Sequence, residues 1–389
     1  MIHHVLRITE FVAAAATIAG IAYYAVCIWS ARRFLSDAAS AGRNARATQY
    51  FSPVSILKPL KGTDPEMYES FRSHCRQDYS DYEIIFGVSD AGDPAANLVN
   101  KLQAEFPQRK IHLVYCDQTL GSNIKVSNLV QMLPHAHHEY LIVNDSDIRV
   151  PPDYLRRVLA PLTDVNIALV TCPYRGVANE TLGSQLEALG ISTDFMPGVL
   201  VARSIEGVKF GLGSTLAFRR SDLQKIGGFE AFVDYLADDY YIGHRLAGMG
   251  KIIELSSITV ESFLPQYTMN GFFAHQLRWA RTVKDVRRRG HLGLGITFVL
   301  PWALFTLLVA WGASWAWALL AIALIARVTA GAYVSRKVLQ DPQTTLLPWL
   351  PLRDAVGVFV WLASFMGHTV SWRGDLFTLK DGKLARISS

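Results

Sequence analysis

Asp145-Ser146-Asp147 stands directly behind the run Tyr140-Leu141-Ile142-Val143-Asn144. Two carboxylates one residue apart, Asp145 and Asp147, can aim at one hard cation and the phosphates it bridges. Mg²⁺ typically takes one or two protein carboxylates together with phosphate and water oxygens. Such a cation, Mg or Mn, neutralises a diphosphate leaving group as charge develops on it. The competing reading is a solvated turn. Asp90, behind Glu83–Val88, can accept hydrogen bonds from a nucleobase or ribose, or simply close its own turn. Gly121-Ser122-Asn123-Ile124-Lys125 is a glycine-led loop before a helix, where backbone amides and the Lys125 charge can hold phosphate. A surface lysine is the plainer reading. In Leu236-Ala237-Asp238-Asp239-Tyr240-Tyr241, two acids interrupt an apolar and aromatic stretch. Burying them is costly without a purpose. A desolvated carboxylate has its pKa raised toward the range useful for a base. One of the pair, Asp238, can also cap a helix over Ile242–Met249. Finally, His275-Gln276-Leu277-Arg278-Trp279 has a helical look. His275, Arg278 and Trp279 then share one face, suited to clasping a diphosphate or lining an acceptor pocket. An interfacial helix, with Trp at headgroup depth, is the alternative.

These residues need elements to hold them. Strand-like runs at 54–57, 83–88, 111–115 and 140–144 alternate with helical stretches at 65–75, 98–106 and 126–132. The first run ends in a turn at Lys58–Gly62. The alternation predicts an α/β domain, with a mostly parallel sheet covered by helices on both faces. Ligands in such sheets bind beyond the carboxyl ends of the strands, which is where Asp90, Asp145 and Asp147 fall.

Half of the 389 residues are hydrophobic. That is too apolar for an ordinary soluble enzyme and too polar for a pure transporter. Cys27, Cys75, Cys116 and Cys172 lie far apart, which suggests neither a disulfide framework nor a zinc site. Phe11–Trp29 is an uncharged run of 19 residues, long enough to cross a bilayer. Arg32, Arg33, Arg43 and Arg46 follow it and place that flank in the cytoplasm. Gly293–Gly312 and Ser314–Val334, which contains Arg327, form a candidate out-and-back hairpin between basic flanks. Leu346–Val370 is interrupted by Pro348, Pro351, Arg353 and Asp354. It reads as a span, a re-entrant segment or an interfacial helix. The expected organisation is an anchor over 1–30, a cytosolic catalytic domain over 31–291, membrane segments over 292–372 and a polar tail over 373–389. The expected setting is a multi-pass membrane protein with its catalytic domain on the cytoplasmic side.

The order Asp90, D-S-D at 145–147, D-D at 238–239 and H-Q-L-R-W at 275–279 resembles the family 2/21-type inverting glycosyltransferases. Their pattern is D, D, D, [QR]-x-x-R-W. More narrowly, the chain resembles the ceramide glucosyltransferases and the bacterial hopanoid-biosynthesis glycosyltransferases. S-I-L-K-P-L-K-G at 55–62, N-I-K-V-S-N at 123–128, N-D-S-D-I-R-V at 144–150 and S-W-R-G at 371–374 carry that likeness over nearly the whole chain. The resemblance implies a GT-A fold with N-terminal and C-terminal transmembrane helices. It implies a UDP-sugar donor held by Asp90 and Lys125, with Asp145 and the four motif residues His275, Gln276, Arg278 and Trp279 at the donor pocket. It also implies a divalent cation at Asp147 and Asp145, and catalysis at Asp239 with Asp238 beside it. The implied acceptor is a ceramide or hopanoid lipid, with no nucleic acid partner. Two features depart from the pattern. The last motif opens with His275, and no histidine occurs from Gly176 to Gly243, where the animal enzymes carry one. Transfer of N-acetylglucosamine to a hopanoid, processive polysaccharide synthesis and non-catalytic binding remain the alternatives.

Overall fold

The computed structural model describes residues 2–45, 52–372 and 375–387. Arg46 of the basic flank, and Arg373 and Gly374 of the late motif, lie outside them. Ten strands carry the polar half of the chain. They are β1 (Val54–Leu60), β2 (Tyr82–Val88), β3 (Lys110–Tyr115), β4 (Tyr140–Val143), β5 (Ile148–Arg149), β6 (Ile167–Thr171), β7 (Tyr174–Val177), β8 (Leu216–Arg219), β9 (Ile252–Leu255) and β10 (Val260–Phe263). Seven of them form one sheet in the order β3-β2-β1-β4-β8-β6-β9. The first four run parallel, as do β6 and β9, while β8 runs against both its neighbours. The sheet is therefore mixed, and its parallel part is the half predicted from sequence. β1 and β2 are buried along their whole length, as central parallel strands covered on both faces must be. Edge strand β3 alternates exposed and buried positions instead.

Three local details depart from expectation. β1 continues through Lys58, Pro59 and Leu60 rather than turning at Lys58. β4 pairs with it only as far as Leu57, so beyond that point the strand is paired on one side, where proline's missing N–H is tolerated. The helix predicted from Ile242 starts at Asp238, and both acids lie in its first turn. Its N-cap is Ala237, with no side-chain cap, so Asp238 is not a cap. Two other helices do start on caps: Asp93 accepts from Ala95 N–H, and Asn123 from Val126 N–H, each satisfying an otherwise orphaned first-turn amide.

The chain divides into two compact units. The sheet unit comprises residues 35–179, 206–265 and 382–389. The helical unit comprises residues 1–34, 180–205 and 266–381. Three helical stretches among the described residues are long and apolar enough to cross a membrane: His3–Ser40, Ser314–Val338 and Thr345–Ser364. The candidate span over Gly293–Gly312 falls on two helices, Arg288–Thr297 and Val299–Val309, which are bent by 54° and together are apolar enough for one broken span or a re-entrant loop. The break at Phe298 puts Pro301 in the first turn of the second helix, where its missing N–H costs no helical hydrogen bond. Within this unit Thr17 Oγ1 lies 3.1 Å from Thr306 Oγ1, and Tyr24 Oη donates to the Thr297 carbonyl at 2.9 Å. Those contacts tie the N-terminal helix to the bent pair. The tail holds two strands, Asp375–Lys380 and Lys383–Arg386.

Candidate active site

The parallel register brings the carboxyl ends of β1, β2 and β4 to one edge of the sheet. Asn144, the first residue after β4, is fully buried and acts as a bracket. Its amide donates to the Ser214 carbonyl at 2.7 Å, to Tyr154 Oη at 3.0 Å and to Thr215 Oγ1 at 3.2 Å. The turn that carries Asp145 and Asp147 is thereby fixed against the 210–215 loop. From β1, the buried Lys58 Nζ donates to the Asp145 carbonyl at 2.9 Å. Ser146 Oγ donates to Asp64, and Ser262 Oγ of β10 donates to Asp147. The β10–β5 pairing that sets Ser262 opposite Ile148 explains the last contact.

Lys125 reaches in from the helix that Asn123 caps. Its ammonium lies 2.8 Å from Asp145 Oδ1 and 3.4 Å from Asp238 Oδ2. It is no surface charge: its side chain is 19% exposed. Burial alone would lower its pKa, but the charges of Asp145, Asp238 and Asp239 outweigh that and raise it, so it stays cationic. Asp239 is half-buried, and its Oδ1 accepts the Tyr240 N–H at 2.8 Å. Its other oxygen faces Asp145 across Gly213. A methyl group at Gly213 would stand 3.1 Å from Asp145 Oδ2 and 3.2 Å from Asp239 Oδ2. The missing side chain leaves the gap between the two carboxylates open. The loop and the acid-bearing helix meet backbone to backbone. Gly211 N–H donates to the Asp239 carbonyl at 3.1 Å, and a Cβ on Gly243 would strike the backbone of Phe210 and Gly211.

The electrostatics separate the acids. Burial and the Asp238 charge, partly offset by Lys125, lift the Asp239 carboxyl to about 7. Burial also raises Asp238, against the pull of Lys125. Asp147 is lifted to about 6 by burial and by Asp145. Lys58 is driven down to about 7 by burial, with Asp147 and Asp145 pulling it back up. No cluster of three or more His, Cys, Asp or Glu side chains suited to a metal occurs among the described residues. Asp145 and Asp147, one residue apart behind β4, nevertheless fit a hard cation that completes its shell with phosphate and water oxygens.

The structure brings Lys125, Asp145, Asp238 and Asp239 together, with Asp147 on the same turn as Asp145, where the sequence offered them as separate candidates. Asp90 is exposed at the end of β2 and accepts the Gly92 N–H at 2.8 Å, closing its own turn. His275, Gln276, Arg278 and Trp279 lie on the helix Met269–Val286 of the helical unit. There the fully buried Glu187 takes His275 Nδ1 at 3.0 Å and the Gln276 amide at 2.9 Å. Gln276 Oε1 accepts from Arg353 at 3.1 Å. The Trp279 ring packs on Phe195 and His275, with centroids 5.8 and 5.3 Å away. Lys58, Ser262, Gly213, Glu187 and Arg353 received no role from the sequence. For Lys58 a signal existed, because a lysine inside a buried strand needs a partner.

The sequence profile of glycosyl transferase family 21 matches residues 12–385. Ceramide glucosyltransferase 3 of Caenorhabditis elegans is 25% identical over 349 residues, covering 85% of this chain and 73% of the relative. The ceramide glucosyltransferase of Candida albicans is 31% identical over 126 residues, covering 29% of this chain and 23% of the relative. Among solved structures, a mannosyltransferase from Pyrobaculum calidifontis, in complex with GDP-Man and Mn²⁺, superposes with a TM-score of 0.55. It is 20% identical, and 90% of this chain and 99% of that one are covered. That likeness identifies the α/β architecture as a GT-A fold. With the profile matching nearly the whole chain, the chain belongs to glycosyl transferase family 21 and is a glycosyltransferase.

Proposed function

We propose that this glycosyltransferase moves a hexose from a UDP-sugar to the hydroxyl of a membrane lipid with inversion, and that the lipid is ceramide and the sugar glucose. The observation that carries the reading is the pair of carboxylates facing each other across Gly213, Asp239 on one side and the Lys125-bound Asp145 on the other. Ceramide glucosyltransferases among the relatives, and three apolar helices long enough to span a bilayer, support the choice of acceptor. The basic residues Arg32 and Arg33 behind the first span favour a cytoplasmic catalytic unit, which glycosylation tagging of the N-terminus would test.

In this reading Asp239 accepts the proton of the lipid hydroxyl. The hydroxyl oxygen bonds to the anomeric carbon as the bond from that carbon to the diphosphate breaks, and UDP departs with the electron pair. Lys125 holds Asp145 and keeps a fixed positive charge at the site. Asp145 and Asp147 would hold a divalent cation, which supplies charge neutralisation to the diphosphate when bound. Asp90 is assigned to the nucleoside. Arg278 and Trp279, with His275 and Gln276 beside them, are assigned to donor contact, and Arg278→Lys should raise the donor KM. The deciding experiment is Asp239→Asn, assayed for glucosylceramide formation in membranes. Loss of general-base help typically costs about 10²–10⁴ in rate. Turnover within twofold of wild type, with donor binding intact, would remove Asp239 from the role.

A further inference from the structure

The segment Phe232–Ala237 leads straight into Asp238 and Asp239, and two other parts of the sheet unit grip it. On one side is the loop that carries Lys125. Ser122 N–H donates to Asp234 Oδ1 at 2.9 Å, Asn123 N–H to the Val233 carbonyl at 2.7 Å, and the Asn123 amide to the Tyr235 carbonyl at 2.7 Å. On the other side is the end of the chain. Leu384 N–H donates to the Asp234 carbonyl at 2.8 Å, and Leu236 N–H to the Gly382 carbonyl at 3.0 Å. The Lys383 ammonium sits 5.4 Å from the centre of the Tyr235 ring, and the Leu384 side chain is buried. Asp381 and Gly382 both have positive φ, as in a type I′ reversal. Tyr241 occupies the space a Cβ on Gly382 would need, so glycine serves both the turn and the close approach.

We propose that the chain's last strand, Lys383–Arg386, is a clamp that positions the catalytic acids. It acts by pairing with the 234–236 segment opposite the Lys125 loop. The proposal rests on the reading of Asp239 as the base. The argument is one of geometry: the acids sit at the start of a helix whose lead-in has no regular secondary structure of its own beyond Phe232. Such a lead-in keeps one conformation only if its backbone groups are paired elsewhere. Two of those pairings come from residues 382 and 384, more than 140 positions away in the sequence. Leu384 and Lys383 are therefore positioning residues: they touch no reacting atom and fix the segment that aims Asp239.

Leu384→Pro removes the N–H that bonds to Asp234, while Leu384→Ile keeps it. In the full-length enzyme in lipid nanodiscs, Leu384→Pro should lower kcat at least tenfold with donor KM within twofold of wild type. Leu384→Ile should retain kcat. Amide exchange of residues 234–241 should accelerate in the proline variant while that of β1, β2 and β4 is unchanged. Wild-type kcat in Leu384→Pro, or unchanged exchange at 234–241, overturns the proposal. So does exchange that accelerates throughout the sheet, because the strand would then be a general stabiliser. Asp239→Asn measured alongside keeps the two readings apart. If it is fully active while Leu384→Pro behaves as expected, the base assignment fails and the clamp stands, acting on another residue of the segment. If Asp239→Asn is inactive and Leu384→Pro is normal, the clamp fails alone.

Discussion

At the scale of single residues, the site sets two demands against each other. An Asp239 carboxyl raised to about 7 is a usable base near neutral pH, and it also costs stability. As the proposed base it reacts as the carboxylate, so kcat/KM should fall as pH drops through about 7, which a pH–rate profile in membranes would report. The linkage has the opposite sense. A carboxyl whose folded pKa lies above its unfolded value favours folding below the unfolded pKa, and that contribution is lost as pH rises through about 7. Asp239→Asn should therefore melt at a higher temperature than wild type at pH 8, with the difference vanishing near pH 4, even as activity is lost. Thermal scans at the two pH values would check it. Gly213→Ala makes a cleaner probe of the gap between the carboxylates. Its methyl would stand at 3.1 and 3.2 Å from Asp145 and Asp239, tighter than ordinary contact. It should depress kcat by an order of magnitude or more with a small change in melting temperature, since the methyl enters the space between the two carboxylates. Wild-type kcat would show that nothing needs to pass there.

At the scale of elements, a backbone contact decides where Asp239 points. The helix Asp238–Gly248 rests on the 210–215 loop through Gly243 and the Gly211 N–H to Asp239 carbonyl bond. Gly243→Ala would push the two apart. Overpacking of this kind typically costs about 1–3 kcal/mol. The variant should lose both melting temperature and kcat, unlike Gly213→Ala, and a paired measurement separates them. This contact also marks how far the sequence could be read. Asp145 and Asp147 were legible because carboxylates after a buried strand fall at a predictable edge of a parallel sheet. Lys125 was legible as a candidate because it ends a glycine-led loop before a helix. Glycine packing was not, because a glycine's neighbours depend on tertiary approach and leave no periodicity. The partners of the motif helix were hidden for a related reason: Glu187 lies 88 positions before His275. The antiparallel β8 escaped as well, since strand direction is set by connections rather than by composition. Pro59 misled outright, suggesting a turn where β1 merely loses one of its two neighbours.

At the scale of the whole molecule, the helical unit contains charges that an apolar segment should not tolerate. Arg327 is fully buried within Ser314–Val338. Its guanidinium donates to both oxygens of Asp354, at 2.7 and 3.1 Å, to the Thr193 carbonyl at 2.8 Å and to Asp194. Asp354 comes from the Thr345–Ser364 candidate span, and Asp194 from the π-helical turn Ile191–Phe195. Arg353 extends the chain of contacts, 3.3 Å from Asp194 and hydrogen bonded to Gln276. Charged side chains at membrane depth persist when they pair with one another. One arginine here joins two candidate spans to the 191–195 segment, and the next residue before Asp354 reaches the H-Q-L-R-W helix. Removing the arginine should therefore be worse than removing an acid. Arg327→Met strands Asp354 and leaves Asp194 with Arg353 alone, and breaking a buried pair in this way typically costs about 3–5 kcal/mol. Asp354→Asn leaves Arg327 still bonded to Asp194 and Thr193, and should cost less. Combining Arg327→Met with Asp354→Asn should recover part of the loss, because one stranded charge is then neutral. Melting temperatures of the three variants in one detergent would order them Asp354→Asn, double variant, Arg327→Met, from most to least stable. An Arg327→Met protein as stable as wild type would mean that the triad carries no structural load and that its charges are kept for another purpose.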